Sequence, residues 1–231
     1  MYCGRWRDSE RELNTAIRIF EKENSIQSLS VTWSERSWRS LLMARAISQS
    51  KSKNLKSAIQ DAARSLELAK ESEKIKDPNA VDFLRAHWLL GASFRAYAVL
   101  PERSSAGAMR DLEQAEDHLS EALTRCRAIN NVENEADILL DLARLRYAQK
   151  NDEEAKTLAE EALLISERSG YVLQGADVHL FLAQFALEQE KDKEKAKELA
   201  ERARELATCD GPPYYYKVAY EEAERMLEEF S

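Results

Sequence analysis

Along most of this chain, small residues recur at helical spacing between larger apolar ones, and short charged or polar breaks interrupt the pattern. The pattern predicts helices over about 7–24, 31–50, 54–74, 79–99 and 106–129, then about 132–149, 152–168, 172–189, 192–208 and 213–230. Asp77-Pro78 and Pro101 fall at predicted boundaries, where proline ends or starts a helix. Gly211 is expected to stop one helix and Pro212-Pro213 to start the last. Residues 101–108 form the one conspicuous irregular insertion. The other connections are short, so the chain reads as one elongated domain spanning 1–231.

The helices repeat. Ala136-Asp-Ile-Leu-Leu-Asp-Leu-Ala143 aligns with Ala176-Asp-Val-His-Leu-Phe-Leu-Ala183 at a shift of 40 residues. A charged turn follows each, and then a helix with small residues seven apart, Ala155/Ala162 and Ala196/Ala203. The same spacing occurs at Ala115/Ala122, Ala58/Ser65 and Ser9/Ala16. From Ala16 through Ser65, Ala122 and Ala162 to Ala203 the intervals are 49, 57, 40 and 41 residues. Seven residues are close to two helical turns, so both small side chains lie on one stripe, where a neighbouring helix can approach closely. Gly91, Ala143 and Ala183 supply a small residue to the first helix of their pairs. The expected fold is all-α, an α-solenoid of about ten helices stacked as antiparallel pairs. No pair buries its apolar face alone.

Through Leu139, Leu142, Ala143, Tyr147, Ala155 and Ala162 the chain resembles the tetratricopeptide repeat family, best over 133–208 and more loosely over 7–208. Repeats of 40–41 residues resemble the long-helix variety of that family. The segment Cys209-Asp-Gly-Pro-Pro-Tyr, followed by one closing helix, resembles the C-terminus of the repeat arrays in STAND/NACHT-type signalling ATPases. The resemblance implies a right-handed superhelix. It also implies a non-catalytic interaction or sensor module from a multidomain signal-transduction ATPase, with a protein or peptide ligand, or the ATPase domain of the same parent chain, as partner. The alternative is a free-standing adaptor or peptide-binding regulator. The first helix lacks the partner that would complete a repeat, so Ile17, Ile19 and Phe20 are expected to be exposed and the chain to be a C-terminal piece of a longer protein. The competing reading makes this helix a simple cap. At the other end, Tyr216, Val218, Ala219, Met226 and Leu227 are expected to be buried, with the glutamates of the last helix facing water.

Composition narrows the function classes. Gly and Pro number only 6 and 4, too few for the turns of a β-sandwich or barrel. The most apolar segment, Ala86–Leu100, is interrupted by His87 and Arg95, so no membrane span is expected. Residues 1–110 carry 19 Lys and Arg against 13 Asp and Glu, and residues 111–231 carry 15 against 29. The acidic second half repels nucleic acid, and the first half has no dense basic cluster. Cys3, Cys126 and Cys209 form neither a disulfide framework nor a metal-ligand spacing, which suits reduced thiols in a cytoplasmic protein. Cys126, between Arg125 and Arg127, reads as a surface thiol. His87, His118 and His179 fall on three different helices without ligand spacing, and His179 reads as a core or groove histidine. There is no phosphate-binding Gly-rich loop. Neither cofactor, metal nor catalytic residues are expected.

Registering the first helix of each pair on its small residue places a set of side chains on the concave face. These are Arg85, Trp88 and Arg95, then Asp137, Leu140, Asp141, Arg144 and Tyr147, then Asp177, Leu180, Gln184 and Glu188. Trp88, Leu140 and Leu180 occupy equivalent positions and would form an apolar floor flanked by charges, suited to a peptide. The competing reading packs this stripe against the neighbouring helix as core.

Overall fold

The computed structural model describes residues 1–74 and 79–230, so the expected Asp77-Pro78 break lies outside it. Ten α-helices and no strand occur among the described residues. They are α1 (Trp6–Lys22), α2 (Ile26–Ala46), α3 (Lys51–Lys74), α4 (Ala80–Ala98), α5 (Ser105–Ala128), α6 (Val132–Ala148), α7 (Asp152–Ser169), α8 (Val172–Phe185), α9 (Lys193–Thr208) and α10 (Lys217–Glu228). They form two compact units. The first is Arg5–Asn131 with Met1, and the second is Tyr2–Gly4 with the chain from Val132 onward. Sequence neighbours pack on each other within each unit, α1 through α5 in the first and α6 through α10 in the second.

Few glycines are needed because other residues take the left-handed turn positions. Asn24, Asn130 and Lys150 have φ of 52°, 53° and 65°, and Gly170 has 67°. After each, the next N–H reaches back to a carbonyl five residues earlier: Ser25 to Phe20, Asn131 to Cys126, Asn151 to Arg146 and Tyr171 to Ser166, at 2.9–3.1 Å. This bond satisfies a carbonyl that the helix end would otherwise leave unpaired. Asn79, Ser104, Asn151 and Asp192 cap the helices that follow them with side-chain oxygens.

In the first unit, serine hydroxyls join α2 to α3. Ser30 Oγ donates to the Ser65 carbonyl at 3.0 Å, and Ser65 Oγ returns a bond to the Ser30 carbonyl at 2.8 Å. Ser37 Oγ donates to the Ala58 carbonyl at 2.8 Å. Each hydroxyl is small enough for close approach and is satisfied by backbone. In the second unit alanine does most of this work. Ala155, Ala159 and Ala162 on α7 are fully buried, as are Ala196, Ala200, Ala203 and Ala207 on α9. The expected small pairs Ala58/Ser65 and Ala115/Ala122 are also fully buried, whereas Ser9 and Ala16 on the terminal helix are only half-buried.

Several expectations need correction. Helix α2 begins at Ile26, not near 31, because Asn24 completes the turn and the serines that resemble a loop are bonded inside the helix pair. A short 3-10 turn, Ser48–Ser50, replaces its expected last turn. Helix α10 starts at Lys217 rather than at Pro213. Its entry is set by contacts, since Tyr216 N–H donates to the Ala207 carbonyl and Lys217 N–H to the Tyr2 carbonyl. Tyr216, Val218 and Ala219 are buried as expected, while Met226 and Leu227 are half-buried. On α1, Ile17 is buried with Leu29 and Leu68 and Phe20 packs against them, leaving Ile19 exposed. Cys126 is fully buried rather than a surface thiol, with Sγ donating to the Asn131 carbonyl at 3.0 Å.

Candidate functional site

The expected apolar floor is core. Trp88 is 6% exposed and lies 5.2 Å, ring to ring, from Trp38 of α2. Leu140 and Leu180 are 2% and 6% exposed. The register of these residues matches the repeat, but each faces inward, so no apolar ladder remains for a ligand to cover. In the first unit Arg85 forms an ion pair with Glu35 of α2, and Arg95 is half-buried.

The polar members gather in the second unit, on α6 and α8. Asp137, Asp141 and Arg144 lie three and four residues apart on one face of α6. Arg144 donates to Asp141 at 3.3 Å. Gln174 on α8 reaches Asp137 at 3.2 Å, and Tyr216 Oη donates to Asp177 at 3.0 Å. Asp141 and Asp177 are buried and Asp137 is half-buried. Burial pushes the Asp137 carboxyl up to about 8, helped by the charges of Asp177 and Asp141 and opposed by the Gln174 hydrogen bond and by Arg144. A shift in this direction favours the protonated carboxyl near neutral pH.

One turn further on, the polar row is exposed. Tyr147 Oη donates to the Glu188 carboxylate, Gln189 Nε2 donates to Tyr147 Oη at 3.1 Å, and Gln184 Nε2 donates to Glu188 at 3.0 Å. Burial, followed by the Glu188 bond, raises the Tyr147 phenol above its usual range. The Tyr147 ring stands edge-on to Phe181 at 6.0 Å. Helix α8 widens after Phe185 into a π-turn, Ala186–Glu190, which carries Glu188 and Gln189 toward Tyr147.

Sequence reasoning missed Gln174, Gln189 and Tyr216. Gln174 was findable, since it lies three residues before Asp177 on the same helix face. Tyr216 was expected to be buried, but its bond to Asp177 gave no local signal, because the two are 39 residues apart. Also missed was a contact between His87 and His118, whose ring nitrogens Nδ1 are 3.0 Å apart across α4 and α5. The two are nearly equidistant from the intervening turn, and that symmetry marks residues facing each other in an antiparallel helix pair. His179 is buried as expected and shares its Nδ1 proton with the Gly175 carbonyl at 2.8 Å.

Among the described residues no group of three or more His, Cys, Asp or Glu side chains could hold a metal ion, and no helix is long and apolar enough to cross a membrane. No protein-family model matches this chain, and no curated protein matches it either.

Proposed function

We propose that this chain is a non-catalytic protein–protein interaction and sensor module of the tetratricopeptide-repeat kind, serving a signal-transduction ATPase, and that a protein or peptide partner docks on the polar face of α6 and α8. The observation that carries this reading is the row Arg144, Tyr147, Gln184 and Glu188 above a buried Leu140/Leu180 layer, in which Tyr147 of α6 bonds to Glu188 and Gln189 of the π-turn that extends α8, Gln184 bonds to Glu188, and Arg144 bonds to Asp141 on its own helix. Repeated antiparallel pairs with buried small residues support the repeat reading. The buried apolar stripe shifts the contact chemistry. Affinity then comes from the Tyr147 ring and charge-assisted bonds, with the charges setting partner choice and association rate.

The test has two parts. Sequencing the parent gene upstream of Met1 for a nucleotide-binding domain separates the ATPase reading from the free-standing adaptor. Crosslinking in the native cell, with wild type against Arg144→Glu and Glu188→Lys, tests the face. Loss of the same crosslinked partner in both variants, at unchanged melting temperature, is expected. Retention of that partner by both variants refutes the docking face.

A further inference from the structure

The most unusual constellation outside the α6–α8 face is the histidine pair of the first unit. His87 on α4 and His118 on α5 meet nitrogen to nitrogen at 3.0 Å, with ring centroids 5.1 Å apart. Such a contact needs one Nδ1 to carry a proton and the other to accept it. A neutral pair of opposite tautomers satisfies it, and so does a singly protonated pair. A doubly protonated pair has two donors and no acceptor, with two positive charges 3.0 Å apart.

Both rings are half-buried, and their inner side is closely packed. Gly91, one turn along α4, lets α4 lie close against α5. A β-carbon there would sit 2.5 Å from Leu119 Cγ and 3.0 Å from the Leu119 backbone nitrogen. Leu119 is fully buried and adjoins His118. Phe94, another turn along, stacks parallel to the His118 ring at 6.1 Å. The charged groups that bear on the pair are Lys70 of α3 and Asp117, Glu121 and Arg125 of α5. Helix α2, also packed on α4, presents Glu35, which Arg85 neutralises. Lys70 and Arg125 oppose added positive charge, and Arg125 also holds Glu121 at 2.6 Å.

We propose that His87 and His118 form an acid-sensitive latch between α4 and α5, closed while the pair carries at most one proton charge and opened by the second. The direction of titration agrees. Burial, then the charge of the facing His118, lowers His87 to about 4, and burial also lowers His118. Both lie below the ordinary 6.5 of an unfolded histidine. The folded chain therefore binds fewer protons than the unfolded chain, and its stability falls as pH drops through 6.5 toward 4. Between pH 7.5 and 5, His87 alone changes the unfolding equilibrium constant by roughly 30-fold.

The full chain is denatured with urea at both pH values as wild type, His87→Gln, His118→Gln and, as a non-titrating control on the exposed side of α7 in the other unit, Thr157→Ala. His87→Gln is expected to lose most of that factor relative to wild type and His118→Gln part of it, because burial outweighs the His118 charge at His87, whereas Thr157→Ala keeps it. Amide exchange, corrected for intrinsic rates, should rise at pH 5 in 80–98 and 105–128 more than in 152–169. Retention of the full pH dependence by both latch variants overturns the proposal. An NMR titration of the wild-type histidines decides the matter even where the glutamine variants fail to fold. Two ordinary midpoints near 6.5 for His87 and His118 overturn it, and midpoints clearly below support it.

Discussion

Replacing Gly91 by alanine sets helix propensity against packing, and the geometry decides the winner. Alanine is preferred over glycine inside a helix by about 1 kcal/mol. Were Gly91 on an open helix face, the change would stabilise. Instead the new methyl would lie 2.5 Å from Leu119 Cγ and 3.0 Å from both Leu119 Cδ2 and the Leu119 backbone nitrogen. Carbon atoms in contact prefer about 3.5–4.0 Å. Rotating the Leu119 side chain relieves two of these contacts but not the third, so α5 must move by several tenths of an ångström away from α4. Overpacking of this kind costs about 1–3 kcal/mol, and propensity returns about 1. The net expectation is a loss of up to about 2 kcal/mol. Gly175 in the second unit is the matched control. Its β-carbon would press on the end of Leu206, Cδ1 at 3.2 Å, with Ser166 Oγ at an ordinary 3.8 Å, and Leu206 is half-buried. Gly175→Ala is expected to leave stability unchanged or raise it slightly. The assay is thermal and urea unfolding followed by circular dichroism at pH 7.5. For a chain of this size 1 kcal/mol moves the melting temperature by roughly 2–4 °C. A Gly91→Ala protein more stable than wild type, or a Gly175→Ala protein that loses as much as Gly91→Ala, would refute the packing account.

Two further outcomes are expected. Arg39 is 8% exposed and forks onto the Trp6 carbonyl, Ser9 and Glu10 at 3.0–3.2 Å, fastening the start of α1 to α2. Arg39→Lys should speed amide exchange in α1 because an ammonium cannot reproduce the planar fork; unchanged α1 exchange would show that Ile17 and Phe20 hold it unaided. Asp137, raised to about 8 from 3.8, is protonated in the fold where the unfolded chain has ionised, so it removes stability progressively as pH rises from about 4 to 8. Asp137→Asn should therefore gain stability relative to wild type at pH 8 but not at pH 4, as read from urea midpoints; an equal effect at both pH values means that the carboxyl is ordinary.

Much of the fold was legible in the residues alone. The helices and most of their ends follow from short-range rules: apolar spacing, capping side chains, and the scarcity of glycine and proline. The seats Ala115/Ala122, Ala155/Ala162 and Ala196/Ala203 could be read as contact points because a stripe of small residues has little other use on a helix. Other features were decided by neighbours distant in sequence. Trp88, Leu140 and Leu180 stand at equivalent repeat positions, but a helix in an array touches others on more than one side, and one-dimensional periodicity does not say which stripe stays open. Their burial moved the candidate face from an apolar ladder to the polar row of Arg144, Tyr147, Gln184 and Glu188. The start of α10 was decided by the carbonyls of Ala207 and Tyr2, one of them at the far end of the chain. The pairing of His87 with His118 and of Tyr216 with Asp177 arises in the same way. A local pattern records which face of a helix is apolar, whereas burial, proton affinity and hydrogen-bond partners are properties of the packed neighbours.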